Sequence, residues 1–473
     1  MTTLKIAARN ILRNLRRSLM TVSAIAVGAM ALLLFGGFTS HIFVALETQN
    51  VTRSGHLAVF RNGYFKYGVG NPASYGIDNY QAVLALIGND PVLKPMINVV
   101  TPTINLFGIA GNFEAQASKT FFGLGVVPAD YNKMRRWNEH HLDYDPVAAS
   151  NRINEQDESH GFIGVGLARM LGLCEALHLG DCPKGEGGDQ PAAGAISGPA
   201  TRDFSALEGE AKESASGAPN GGEPQSAPRL DLLAATAAGA PNVVNFYVDK
   251  AISQGVKEYD DALVVMNFNL AQRLLYGRGE KKAVGIVVQL HRTEDIPVAR
   301  ARLERLIREN HLDLETKELN ELQPFYKQAV GMFVAIFSFI SVVMAVIVLF
   351  TVVNTMSMSV MERTQEIGTL RALGVKKKGI TLQFILEGAI LGVIGATLGI
   401  ILGYLASYGV NHAGLTWHPP GQSHPTNLIV RTRGVEHLIF EIWLGLCAMA
   451  TVAAWIPARR AARMKIVDAL GHV

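Results

Sequence analysis

Glu362 and Glu366 stand four residues apart in "ERTQEIGTLRALGVKKKG", a charged stretch between two runs, 329–361 and 388–430, that hold no Asp, Glu, Lys or Arg. On an isolated helix, like charges at that spacing cost a few tenths of a kcal/mol, on the order of 0.2–0.5. A plain solvated connector gains nothing from them. A helix that lays Val360, Thr364, Ile367, Leu370 and Gly374 into a partner's groove, and offers its carboxylates to the partner's cations, does gain. A helix resting on a membrane surface, with Arg363 and Lys376 to Lys378 on lipid phosphates, accounts for the same charges. Both readings stay open on the pattern alone.

Other residues invite other chemistry. Glu387 lies inside an apolar run, about two helical turns from its start near Ile380. There it is either a functional carboxylate that needs a buried partner or an interfacial residue that reaches water. "EHHLDYD" (Glu139 to Asp145) and the trio His412, His418 and His424 are metal-ligand candidates. The first lacks helical H-E-x-x-H spacing and the second is spread over a Pro-rich loop, so solvated loops are the better reading. No Ser/His/Asp or Cys/His set has local support, and no G-x-x-x-x-G-K-[ST] phosphate loop occurs. The chain is expected to bind no cofactor and no ATP of its own. Cys174 and Cys182 can pair if their compartment is oxidising and a turn brings them together, or can stay apart. Cys447 reads as a small buried thiol.

These residues are distributed over a chain of 473 residues with strongly uneven composition. Spans of about 20 apolar residues are enough to cross a bilayer. Four are read here, at 18–46, 325–356, 380–406 and 438–458. The first is far longer than the roughly 7–15-residue core of a secretory signal, so it reads as an uncleaved anchor. Lys5, Arg9, Arg13, Arg16 and Arg17 precede it; Arg363, Arg371 and Lys376 to Lys378 separate spans two and three; Arg459, Arg460, Arg463 and Lys465 follow span four. This asymmetry puts both termini and 357–379 in the cytoplasm. The segment 47–324 and the loop 407–437 are then outside. Residues 1–17 read as an interfacial amphipathic helix, with Leu4, Ala8, Ile11, Leu15 and Leu19 on one side, and 459–473 as a cytoplasmic tail. The near-neutral net charge of +3 gives no reason to propose nucleic acid binding.

The exported region alternates strand-like and helix-like stretches. "HLAVF" leads to "NYQAVLALIG", then to a β-rich segment with a Gly-Asn turn, then to "GVGLARMLGL". From Pro183 to Pro241 the composition shifts to Gly, Pro, Ala and Ser, which predicts a disordered insertion. "NVVNFYVD", "DALVVMNF", "NLAQRLLYG", "AVGIVVQL" and "IPVARARLERLIREN" then predict an α+β domain with a mixed sheet. The expected fold class is therefore a membrane α-helical protein, with spans arranged one plus three, carrying a large extracytoplasmic α+β domain.

"MERTQEIGTLRALGVKKKGI" resembles the segment after the second span of FtsX-like, MacB-like and lipoprotein-releasing LolC/LolE-type ABC transporter permeases. The start "AARNILRNLRRSLMTVSAIAVG", the end "PARRAARMKIVDAL" and the one-plus-three spans are also similar to that family. "GVGLARMLGL" and "GVKEYDDALVVMNFNLAQRLL" look most like the LolC/LolE branch. The resemblance implies that 357–379 is a coupling helix docked on a separate ATPase subunit, with Glu362, Arg363, Glu366, Ile367, Gly368, Leu370, Arg371 and Gly374 matching the shared motif. It implies a dimer with a second permease, identical or homologous, and ATP and Mg used by the partner ATPase. It also implies contact with membrane lipid, a periplasmic carrier or effector, and an inner-membrane location. Two activities follow from it: extraction of lipoprotein or another amphiphile by mechanotransmission, or FtsX-like control of a periplasmic enzyme without transport. A membrane-anchored enzyme using the His/Asp-rich loops is the third and weakest reading. The stretch 183–241 and the loop "WHPPGQSHPTN" depart from the family's pattern and leave the substrate open.

Overall fold

The computed structural model describes residues 7, 9–11, 13, 15–142, 152–180, 182, 227–277, 279–322, 324–418 and 425–464. They form two compact units, one of Met1–Ser54, Trp137–Tyr144 and Glu318–Val473, the other of Gly55–Arg136 and Asp145–Lys317. Most of the predicted insertion (183–226), His424 and Asp143 to Asp145 lie outside the described residues.

The chain begins with α1 (Leu15–Ser54), a helix of the first unit that runs past its apolar run until Gly55 adopts φ +71°. The second unit then builds β1 (Leu57–Arg61), α2 (Tyr80–Gly88), β2 (Ile97–Asn112), β3 (Ala117–Val126), α3 (Pro128–Met134), β4 (His160–Gly164) and α4 (Val165–Met170). It continues with β5 (Arg229–Ala235), β6 (Pro241–Ile252), α5 (Lys257–Asp260), β7 (Leu263–Asn267), α6 (Phe268–Tyr276), β8 (Gly285–Leu290), α7 (Ile296–Glu309) and β9 (Leu314–Glu318). The sheet has nine strands in the order β3-β7-β4-β6-β5-β2-β8-β1-β9, with β3 pairing β2 as well. The first six strands therefore close on themselves, because β2 pairs β3 on one side and β5 on the other. Its opposite end, from Ile97 to Thr103, pairs β8. The sheet is mixed: β3 with β7 and β4 with β6 run parallel, whereas β1 with β8, β2 with β3, β5 and β8, β4 with β7, and β5 with β6 run antiparallel. Every residue of β7 and β8 is buried, as expected of Val/Ile/Leu-rich strands covered on both faces.

Local chemistry fixes the element ends. Asn267 caps α6 by accepting the Asn269 N–H at 2.9 Å. Asn112 closes the β2–β3 turn by accepting from Glu114 and Ala115. On α7, Ala299, Leu303 and Leu306 face inward. From the same helix, Arg302 donates through Nε and Nη2 to Asp90 Oδ2 at 3.0 and 2.6 Å. The Val92 and Leu93 N–H groups donate to Asp90 Oδ1, each at 3.0 Å. Hydrogen bonds from Arg302 hold the Asp90 carboxyl below the usual carboxylate range, against the opposing effect of burial. Cys174 and Cys182 are joined in a disulfide with Cα atoms 6.1 Å apart, across a turn closed by Leu179 N–H to Cys174 O.

The predicted insertion is corrected at its C-terminal end. Residues 229–235 are β5, hairpinned to β6 from Ala235↔Pro241 to Arg229↔Tyr247. Leu230, Leu232 and Ala234 alternate inward with at most 2% exposure. The abundance of Ala and Gly around them masks that period-2 signal.

In the first unit, α8 (Leu319–Leu322) leads to α9 (Pro324–Glu362), α10 (Thr364–Ala372), α11 (Lys377–His412) and α12 (Glu436–Arg463). Helices α1, α9, α11 and α12 are long and apolar enough to cross a membrane. Small residues set the helix spacing. A Cβ on Gly388 would lie 2.4 Å from Ala454 Cβ of α12, and one on Gly399 would lie 2.4 Å from Ala26 O of α1. One stripe of α11 thus admits two neighbours at close range. The loop after α11 is pinned by Asn411, whose side chain donates to Val430 O and accepts from Val430 N–H. A short hairpin, β10 (Thr416–Trp417) with β11 (Thr426–Asn427), lies within it.

Candidate functional site

The expected coupling segment, 357–379, is not one continuous helix. At Arg363 the backbone leaves helical geometry, with φ −102° and ψ 17°, and α10 begins at the next residue. Thr364 Oγ1 donates to Met361 O at 2.7 Å, tying the two helices together. The far end of α10 is a Schellman turn: Val375 N–H donates to Leu370 O and Gly374 N–H to Arg371 O, each at 3.1 Å. Gly374 supplies the required φ of +92°.

The inner side of this segment is fastened to the bundle of its own chain. Val360 and Ile367 pack with Ile380, Phe384, Ala458, Ala461 and Ala462. Thr364 and Gly368 are buried beside them. Of the apolar periodicity offered above for a partner's groove, Val360, Thr364 and Ile367 are thus packed within the chain itself. Arg371 donates to Met464 O at 2.5 Å, where the last carbonyls of α12 need donors.

Arg363 is only 4% exposed. Its Nη1 donates to Glu387 Oε1 at 3.1 Å and its Nη2 to Asn10 O at 3.1 Å. Asn10 Nδ2 in turn donates to Glu387 Oε1 at 2.7 Å. Three separate helical segments thus meet at one buried carboxylate. Arg363, grouped with the docking residues by its motif, can act on the segment only from inside the bundle. A small cavity of about 20 Å³ adjoins the group, lined by Asn10, Arg17, Ser359, Arg363 and Glu387 among others. Arg363 Nε and Arg17 Nη1 are buried there without an acceptor.

The two acids also find cations within the chain. Glu362 pairs with Arg17 and Glu366 with Arg13. Both pairs are partly exposed, so each contributes little on its own. The helical spacing of Arg13 and Arg17 mirrors that of Glu362 and Glu366, a match the sequence itself displays. Asn10 carried no comparable signal. On the expected apolar face of the N-terminal helix, Leu15 and Leu19 are 62% and 60% exposed. Ile11 packs against the bundle core.

The outward side of α10 exposes Gln365, Glu366 and Thr369 along its length and apolar side chains at its far end, where Leu373 is 78% exposed, Val375 39% and Leu370 38%. The other candidate groups are dispersed. His140 Nε2 lies 3.6 Å from a Glu47 oxygen, and His412 Nδ1 lies 2.9 Å from Tyr408 O. Among the described residues no three His, Cys, Asp or Glu side chains come together as metal ligands do.

Four long apolar helices around a fastened α10 define a polytopic membrane protein. Residues 338–466, covering most of α9 together with α10 to α12, match the family described as FtsX-like permease C-terminal. Over those residues the chain carries an FtsX-like permease domain, and the proteins it resembles include ABC transporter permeases. It is 30% identical over 220 residues to the macrolide export ATP-binding/permease protein MacB of Brucella abortus, 46% of this chain and 31% of that protein. It is 23% identical over 227 residues to an uncharacterized ABC transporter permease of Methanocaldococcus jannaschii, 48% of this chain and 54% of that one. With the ABC transporter permease YtrF of Bacillus subtilis it shares 32% over 136 residues, 28% of this chain and 31% of that protein. The matched stretches thus span about half or less of these relatives' own lengths.

Proposed function

We propose that this chain is the non-catalytic permease subunit of an ABC transporter of the mechanotransmission type, receiving work from a separate ATPase chain at 357–379. The observation that carries the reading is the two-sided character of α10. Its inner side is held by Ile367, Arg371 and the Arg363–Glu387 pair, while Leu370, Leu373 and Val375 stand exposed at its tip. A tip that cannot swivel passes displacement into α9 and α11, and exposed apolar side chains give a partner something to bury. In this reading Glu362 and Glu366 flank the docking surface, already balanced by Arg17 and Arg13. ATP and Mg belong to the partner, since the chain has no phosphate loop.

The proposed location is an inner membrane, and the Lys/Arg asymmetry supports an orientation with both termini cytoplasmic and the sheet-bearing unit periplasmic. A second permease copy or homologue would cover part of α9, whose most apolar window is only 6% buried. The cargo is proposed as a lipoprotein or another amphiphile, on the LolC/LolE-like stretches Gly164–Leu173 and Gly255–Leu275, delivered to a periplasmic carrier.

The test is affinity purification of the tagged chain from membranes. An ATPase chain should copurify with the wild type and be lost with Leu373→Asp at unchanged expression. Recovery of the wild type with no ATPase chain would sink the reading.

A further inference from the structure

At the end of the bundle that carries α10, a hollow of about 350 Å³ opens between the first turns of α11 and the last turns of α12. Lys377 and Lys378 line it from α11, Arg459 and Arg463 from α12, and no acid is among its lining residues. Below the cations the wall is Thr381, Leu382, Ile385 and Ala462. Spacing explains the arrangement. Arg459 and Arg463 are one helical turn apart, as are Lys377 with Thr381 and Lys378 with Leu382, so each helix lays a strip along the groove. The N-terminus of α11 has no side-chain cap at Lys376, which leaves its first N–H groups and the positive end of its dipole open. Among the described residues none of the four cations is in an ion pair; Arg459 rests over the Trp455 ring at 5.3 Å.

We propose that this hollow binds the phosphodiester headgroup of an anionic phospholipid from the surrounding bilayer. The chemistry that decides the occupant is the gradient within the groove. Four positive side chains and an uncapped helix start match a phosphate, whereas Leu382, which is 49% exposed, and Ile385 continue the wall as an apolar strip that an acyl chain covers. A free inorganic phosphate would use the first part and leave the second bare. The site lies on helices that are apolar enough to span a membrane, at their charged ends, where headgroups concentrate. It differs from the surface contact that Lys376 to Lys378 could make alone, because α12 supplies half of its charge.

The experiment is lipid binding to the full-length protein, delipidated in neutral detergent and titrated with phosphatidylglycerol or phosphatidylcholine under native mass spectrometry. Phosphatidylglycerol should bind preferentially, and R459Q/R463Q should weaken it about thirtyfold, given roughly a fivefold contribution per surface cation. Equal binding of the two lipids, or an unchanged preference in the variant, overturns the proposal. Displacement of the lipid by inorganic phosphate at the same concentration also overturns it, in favour of a free-anion site. Should the variant fold poorly, a photoactivatable phosphatidylglycerol on the wild type reads the site directly. Adducts at 377–385 and 459–463 support it, and adducts confined elsewhere overturn it.

Discussion

Among the described residues, each unit has an arginine paired with a buried carboxylate, Arg302 with Asp90 and Arg363 with Glu387, and the two pairs are built differently. Asp90 has both oxygens saturated, one by Arg302 and one by two backbone N–H groups, and Arg302 keeps 22% of its side chain in solvent. Arg363 and Glu387 are both 4% exposed, yet Arg363 keeps a buried N–H without an acceptor beside a cavity large enough for about one water molecule. The first pair closes a helix onto a turn, with Glu309 3.8 Å from the same guanidinium. The second holds three helical segments through one carboxylate oxygen and retains spare donors. Burial alone therefore does not define the role of a charge; the count of satisfied hydrogen bonds separates a fixed clasp from a joint with alternatives.

The largest expected effect follows from removing Glu387. Glu387→Ala strands Arg363 where it cannot turn to water, and should cost about 3 kcal/mol by analogy with other broken buried pairs. Arg363→Met with Glu387→Met should recover most of that in thermal unfolding of the detergent-solubilised protein. If the double variant is as unstable as the single, the pair is not the joint described here. The Asp90 clasp should respond less, and through pH. Arg302 holds the folded pKa of Asp90 below its ordinary value of 3.8, so between those two values the unfolded chain binds more protons and stability rises with pH. The contribution is complete above the ordinary value and is lost as pH falls through the folded one. Arg302→Met should lower stability at neutral pH and flatten that acid limb, read from denaturation midpoints across the acid range; an unchanged limb would remove the clasp from the comparison. The smallest effect belongs to the exposed pair Arg13–Glu366. Glu366→Gln should leave the unfolding midpoint unchanged, which would mark the outer ion pairs as dispensable for stability beside the buried ones.

The sequence made the four apolar helices legible because charge-free runs are long and the segments between them are basic. Their ends were less so. Helix α9 continues to Glu362 and α11 starts at Lys377, since nothing at those positions opposes helical geometry until Arg363 and Gly374. Strand β5 was hidden by the Ala, Gly and Pro that surround Leu230 and Leu232. In the candidate site the spacing of Glu362 and Glu366 was readable. The direction in which Val360, Thr364 and Ile367 point was not. An apolar helix side looks the same in sequence whether its groove belongs to a partner or to the same chain. Glu387 was singled out as a carboxylate needing a partner, but its partners came from 377 residues upstream at Asn10 and from Arg363 of the motif itself.

Strand β2 has a mechanical consequence. The chain first enters the sheet-bearing unit at β1 and last leaves it at β9, passing through the other unit at Trp137–Tyr144 in between, and β1 and β9 are neighbours at one edge of the sheet. Only β8 lies between that edge and β2, and β2 alone carries the hydrogen bonding onward into the closed ring of six strands. The 16 residues of β2 therefore belong to the edge ladder at one end and to the ring at the other. Strain carried by the sheet's own hydrogen bonds between the β1–β9 edge and the ring passes through this one strand.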